Sequence, residues 1–230
     1  MTISLFVGIY VARYLGPEKY GLLSYAMSFV WLFSAFLDLG HREIIVRELV
    51  LYPEQRDGIL GTAILLRLCG AFFMGSGVTV GLQLVDNDMQ TSLMIIIIAF
   101  GMAFQSWELI DYYFQSQVQS KYTVWAQTIQ LIVASLIKIA LIIWQAPLIF
   151  FAVVFSLEYV ITAALFLLFY IWQEGRFPIR NCNLKYAKQM LKNSFPLLLT
   201  SMAILIYTKI DQVMLKELVS AETVGTYAAA

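Results

Sequence analysis

The most restrictive feature of this 230-residue chain is a succession of long apolar runs that do not alternate with polar residues. Six full-length runs cover 21–39, 59–85, 91–114, 124–145, 147–172 and 194–215. A shorter run from Met1 to Leu15 precedes them and is interrupted at Arg13. A bilayer core about 30 Å thick takes about 20 apolar residues wound as a helix. Inside lipid each backbone polar group needs a protein partner, which leaves helices or closed barrels. Barrel strands alternate apolar and polar positions, and these runs do not. The expected fold class is therefore all-α, a polytopic integral membrane bundle of about seven transmembrane helices.

Composition narrows the function classes. Only 13% of residues are charged and 60% are hydrophobic, whereas a soluble domain carries about 25% charged residues. Fifteen basic residues cancel fifteen acidic ones, so no basic stripe remains for nucleic acid. The 16 Phe, 13 Tyr and 5 Trp suit aromatic anchoring at membrane interfaces. Cys69 lies in an apolar run and Cys182 in a polar loop, so they are not expected to pair. His41 is the single histidine, which excludes a His/Cys zinc site and a Ser/His/Asp set. No G-x-x-x-x-G-K-[ST] loop is present, so the chain is not the ATPase of a pump. Asp86-Asn87-Asp88 has the D-x-D pattern of metal-dependent glycosyltransferases but sits in a short loop, and reads as a solvated turn. No cofactor, metal or catalytic residue is expected, and the chain is read as a non-enzyme.

Lysine and arginine set the expected orientation. Alternate assignment of the polar segments puts Arg42, Arg47, Arg56, Lys121, Arg176, Arg180, Lys185, Lys188 and Lys192 on one side. Arg13 and Lys19 fall on the other. The positive-inside rule then makes 41–57, 115–123 and 173–193 cytoplasmic, together with the N-terminus. The loops at 16–20, 86–90 and 145–147 face outward. His41–Leu51 and Asn183–Asn193 read as amphipathic helices lying in the interface, with basic residues near anionic headgroups.

Seven ionisable residues fall inside spans: Arg67, Glu108, Asp111, Lys138, Glu158, Lys209 and Asp211. Each costs at least about 2.5–3.5 kcal/mol at a helix centre, so each is expected to face protein or a hydrated cavity. At about 1.5 Å per residue, Arg67 lies about 12 Å from the cytoplasmic end of its helix. Glu158 lies about 16 Å from the outer end of its helix and Lys138 about 21 Å from the cytoplasmic end. On 91–114, Gln105, Glu108, Asp111, Tyr112 and Gln115 recur at three- and four-residue spacing and predict one polar face. On 124–145, Gln127, Gln130 and Lys138 lie near one face, with Ala134 between them. Two adjacent polar stripes suggest a shared hydrated cavity. The alternative is hydrogen-bonded glue between helices. Arg67, Lys138 and Lys209 suit an anionic substrate, guanidinium by bidentate phosphate contacts and lysine as a point charge. Glu158 and Asp211 suit neutralisation of those cations, or uptake of a coupling H⁺ or Na⁺. A static pair of Lys138 with Glu158 or Asp211 fits the same depths. Lys209 and Asp211, two positions apart, point to different sides of their helix.

A family resemblance rests on particular residues. Ala12-Arg13-Tyr14-Leu15-Gly16-Pro17-Glu18-Lys19-Tyr20-Gly21 is followed by a span, then Asp38-Leu39-Gly40 and Ile44-Ile45-Val46-Arg47-Glu48-Leu49. This opening resembles the polysaccharide-transporter family of flippases, in the superfamily of multidrug and oligosaccharidyl-lipid exporters. Asn193-Ser194-Phe195-Pro196 and Tyr207-Thr208-Lys209-Ile210-Asp211-Gln212-Val213-Met214-Leu215 resemble the family's seventh span, and Val224-Gly225-Thr226-Tyr227 the entry to its eighth. The stretch 59–172 matches in hydropathy alone.

The resemblance implies two six-helix lobes related by pseudo-symmetry and alternating access. The implied substrate is a polyprenyl-diphosphate-linked oligosaccharide of the O-antigen or lipopolysaccharide type, moved across the inner membrane of a prokaryote. Membrane lipids and glycan-assembly proteins are the implied partners. The expected division is an N-terminal six-helix lobe over 1–172, a cytoplasmic amphipathic connector over 173–193, and the first helix of a second lobe over 194–230. On that division the chain reads as part of a longer transporter. The competing readings are a multidrug-type exporter of the same superfamily, an inactive fragment and a membrane glycosyltransferase. The short, nearly uncharged outer loops disfavour the last.

Overall fold

A computed structural model describes residues 2–40, 42–85, 88–175 and 184–229. His41, Asp86, Asn87, Arg176, Arg180, Cys182 and the side chain of Lys185 lie outside the described residues. Among the described residues there are ten α-helices in chain order: α1 Thr2–Phe33, α2 Ala35–Asp38, α3 Arg42–Leu51, α4 Arg56–Leu84, α5 Met89–Ala103, α6 Leu109–Ser116, α7 Ser120–Ile143, α8 Leu148–Glu174, α9 Leu184–Leu218 and α10 Ala221–Ala229. No strand occurs among the described residues. The all-α polytopic bundle expected from the apolar runs is what forms.

The apolar runs and the helices do not coincide at every boundary. Among the described residues five stretches are long and apolar enough to cross a membrane: Pro53–Leu84, Met89–Ser116, Ser120–Ile143, Leu148–Glu174 and Tyr186–Leu218. The run 21–39 is not among them, because its helix ends at Phe33 and the stub α2 comes next. Upstream, α1 is broken at Gly16, whose φ of 72° and ψ of 170° are not helical. Glycine takes that conformation without a Cβ penalty, and Pro17 then opens the second limb with φ already set for a helix. The segment 184–193 and the last span form one helix, with Pro196 inside it.

Contacts at the loops divide the bundle into two ends. At one, the Tyr14 hydroxyl donates to the Ala146 carbonyl at 3.1 Å, joining the break in α1 to the α7–α8 turn. At the other, Arg56 meets Glu174 at 2.5 Å, Gln173 donates to Gln119 at 2.5 Å, and Tyr186 donates to Glu48 at 3.3 Å. The segments assigned to a common side by charge therefore do share an end. Asp88 caps α5 by accepting from the Thr91 N–H at 3.3 Å, and the bonds from Thr91 hold its carboxyl below the usual range.

Two apolar cores fill the bundle. One contains Val30, Leu37, Met74, Ile98, Met102 and Phe151. The other contains Ile45, Ile64, Leu109, Phe114, Phe166 and Tyr170. Along α4 the second core gives way to the first between Ile64 and Met74, and Arg67 stands in the gap. Along α5 and α6 the change falls between Met102 and Leu109, where a 3-10 turn, Phe104–Glu108, replaces α-helix. A polar layer separates the cores.

The second limb of α1 crosses α10 at backbone distance. A Cβ built on Gly21 would lie 1.8 Å from the Ala221 carbonyl oxygen, and one built on Gly225 would lie 1.8 Å from the Pro17 carbonyl oxygen. Each glycine meets the carbonyl of the residue four before the other. Only small residues let helix backbones approach this closely in a membrane. Gly21→Ala is expected to lower stability by about 1–3 kcal/mol, the usual cost of overpacking. Gly75→Ala, whose Cβ would meet nothing within 4 Å, serves as the neutral control. Thermal unfolding of the two purified variants in one detergent makes the comparison.

Candidate functional site: charged clusters between the helices

Arg67 is the most buried charge in the described chain, at 1% exposure. Its Nη2 donates to Asp38 at 2.6 Å and to the Tyr112 hydroxyl at 2.7 Å, and its Nη1 donates to the Gln105 carbonyl at 3.1 Å. That carbonyl lies in the 3-10 turn, where the regular i→i−4 ladder is interrupted. A fixed fork of donors suits such divergent acceptors. One side chain thus holds α4, the 3-10 turn, α6 and the end of α2 together. Tyr112 also carries Arg67 5.2 Å and Arg42 5.5 Å from its ring centroid. Glu108 sits beside Arg67 and Asp38 in this layer and accepts from the Gln105 side-chain amide at 3.3 Å.

The 3-10 turn also corrects the expected polar face of 91–114. It advances each residue by about 120° instead of about 100°, so five such residues rotate α6 by about 100° relative to a continuous α-helix. Gln105 and Tyr112 reach Arg67. Asp111 is turned away from it, accepting from Gln115 at 2.7 Å and from the Thr123 hydroxyl on α7. Glu108 and Asp111 therefore belong to two clusters rather than one stripe.

Lys138 and Glu158 form the second charged site. Their N and O atoms are 2.6 Å apart, and their side chains are 25% and 22% exposed. The pair lines a cavity of about 290 Å³ between α1, α7 and α8, together with Ser4, Tyr20, Gln130 and Ser135. Of the two pairings open to Lys138, the one with Glu158 forms. Gln130, Ala134 and Lys138 share the cavity wall as their spacing predicts, whereas Gln127 is exposed. The polar residues of 91–114 take no part in it. The single cavity expected between those two stripes is replaced by separate clusters, because α7 presents Lys138 to α8 and α1 instead.

Lys209 and Asp211 diverge as their spacing requires. The Lys209 ammonium lies 5.7 Å from the centroid of the Trp31 ring, and Asp211 accepts from the Tyr227 hydroxyl on α10. Gln212 accepts from Ser28 at 2.5 Å, and Lys216 lies 4.8 Å from the Tyr25 ring centroid. Asp38 is a functional candidate that sequence reasoning misses. It closes the stretch 21–39, at a position that reads as a loop until the neighbouring Arg67 is seen.

Among the described residues no group of three or more His, Cys, Asp or Glu side chains could hold a metal ion.

A family profile described as polysaccharide biosynthesis protein matches residues 1–230. The chain belongs to that family. Its members are membrane transporters of the flippase type, so the match supports a polysaccharide-related transporter. No curated protein and no solved structure matches the chain.

Arg67 is expected to act on stability. Arg67→Met leaves the Gln105 carbonyl without its donor, at about 1–3 kcal/mol for an unsatisfied buried group, while Asp38, 47% exposed, can turn to water. Arg67→Lys keeps the charge but loses the fork. Both variants should melt well below the wild type, Arg67→Met the lower of the two. A wild-type melting temperature for Arg67→Met would show that the layer is not held this way.

Proposed function

We propose that the chain moves a polyprenyl-diphosphate-linked oligosaccharide from the inner to the outer leaflet of a prokaryotic cytoplasmic membrane by alternating access, with its N-terminus cytoplasmic. The family supports transport in polysaccharide biosynthesis. The observation that carries the finer reading is the partly exposed Lys138–Glu158 pair in a cavity. A fully enclosed pair is a fixed cost to the fold. A pair on a cavity wall is open to exchange. A phosphate can replace the Glu158 carboxylate at the ammonium, or a proton can neutralise Glu158 and release Lys138. Either event changes the charge of the cavity without moving a helix.

The geometry supports the following roles. Lys138 is the proposed point-charge contact for the diphosphate, and Glu158 its counter-ion and the place where a coupling proton is taken up. Asp211, bound to Tyr227 across the α9–α10 contact, is a second candidate for the coupling ion. Arg67 is 1% exposed and engages Asp38, Tyr112 and the Gln105 carbonyl through its two Nη atoms, leaving its buried Nε–H without a partner, and that enclosure favours a supporting role over substrate contact. Glu108 and Asp111 are hydrogen-bonded to near neighbours, Glu108 in the Arg67 layer and Asp111 toward α7, and both are supporting residues in this reading.

The test is translocation in proteoliposomes of a polyprenyl diphosphate carrying a fluorescent sugar, read by outer-leaflet quenching. The wild type should move the lipid above the protein-free rate. Lys138→Met and Glu158→Gln should each slow it by about tenfold or more, the kinetic equivalent of roughly one charge contact, at wild-type abundance. Wild-type rates from both variants would remove the pair from the mechanism. No translocation by the wild type would remove the flippase reading itself.

A further inference from the structure

A second cavity, of about 250 Å³, lies between the end of α1, α2, the 3-10 turn and α9. Trp31, Ser34, Asp38, Gln105 and Ser201 are among its lining residues. We infer that this cavity is a subsite for the sugar nearest the diphosphate, with Lys209 holding the phosphate beside it. The inference rests on the flippase reading and names the part of the substrate that this wall recognises.

The chemistry is that of a polyol with an anion attached. Asp38 uses one oxygen for Arg67. Its other oxygen has no hydrogen-bond partner among the described residues, and the side chain stays 47% exposed despite the ion pair. The buried guanidinium behind it holds the carboxylate in place, an acceptor aimed by its neighbour rather than by solvent. The Gln105 amide gives its N–H to Glu108, which leaves the carbonyl oxygen to accept. Ser201 brings a hydroxyl that both donates and accepts. Hydroxyls on a sugar ring supply the donors such a wall needs. A purely apolar ligand would leave these groups unpaired, and that penalty is how polar sites reject the wrong molecule.

The aromatic component is Trp31. An indole presents flat apolar area and one N–H donor, and it suits a ring with an apolar C–H face and polar edges. Lys209 lies on this indole and makes no ion pair among the described residues. An ammonium without a carboxylate partner is costly within a membrane span, and an anionic ligand relieves that cost. The ammonium and the acceptor wall meet at one residue, Trp31. That juxtaposition matches a sugar joined directly to phosphate, with the anion at Lys209 and the hydroxyls at Asp38, Gln105 and Ser201. A bare phosphate would use only the first half. A drug-like cation would be repelled by Lys209.

The test is competition binding to the purified full chain in nanodiscs, read by scintillation proximity. The probes are polyprenyl diphosphate alone and the same lipid carrying one hexose or one N-acetylhexosamine. The wild type should prefer at least one glycosylated lipid over the bare lipid by about tenfold, the yield of roughly one good polar contact. Gln105→Leu and Ser201→Val should each bring that ratio close to one, while Lys209→Met should weaken all the lipids together. Each variant is first checked for a wild-type melting temperature, and the two wall variants keep the test standing if one fails to fold. Equal wild-type affinity for bare and glycosylated lipid overturns the sugar subsite and leaves the flippase reading intact. A preference that survives both wall variants places recognition elsewhere and also overturns it. Failure of the wild type to bind any of these lipids removes the flippase reading instead.

Discussion

One guanidinium organises the interior of this bundle. Arg67 stands between two apolar cores, and the helices around it are interrupted where they meet it. In lipid a broken helix is tolerated only where something else satisfies the freed backbone groups. Arg67 does so for the Gln105 carbonyl and at the same time pairs with Asp38. The 3-10 turn, the stub α2 and the buried charge are therefore a single arrangement. Remove the cation, and the carbonyl and the carboxylate lose their partner together.

That arrangement leaves room for other charges to be less tightly held. Lys138 and Glu158 meet on a cavity wall rather than inside a core. Lys209 rests on an aromatic ring with no acid beside it among the described residues. A transporter needs some charges that hold the scaffold and others that can exchange partners during a cycle. Burial separates the two kinds here. Arg67 has 1% exposure, whereas the Lys138 and Glu158 side chains have 25% and 22%.

The helical bundle, its two ends and the membrane-buried charges were legible in the sequence, because bilayer thickness and the cost of charge in lipid act on local runs of residues. The opposite facing of Lys209 and Asp211 followed from helical periodicity alone. Other features depended on what no local run records. A regular helix over 91–114 predicted one polar face, and five residues of 3-10 geometry split it between Arg67 and Thr123. The stretch 21–39 has the apolarity of a span, yet it stops at Phe33 and bends so that Asp38 can reach Arg67. The partner of Lys138 was narrowed by depth to Glu158 or Asp211, and only the packing of α7 on α8 chose between them. The crossing at Gly21 and Gly225 joins residues 204 positions apart, and neither glycine announces the other.

The most direct measurement of the central claim, that Lys138 and Glu158 are a working pair and not a static one, is transport by the charge-reversed double variant Lys138→Glu/Glu158→Lys. Reversal keeps an ion pair between α7 and α8 but moves the cation to the other helix. The account predicts a melting temperature within about 3 °C of wild type, a shift of about 1 kcal/mol or less for a chain of this size, with translocation of the lipid-linked sugar at the protein-free rate. Restored translocation together with restored stability would show that the pair only holds the helices together, and would contradict the account.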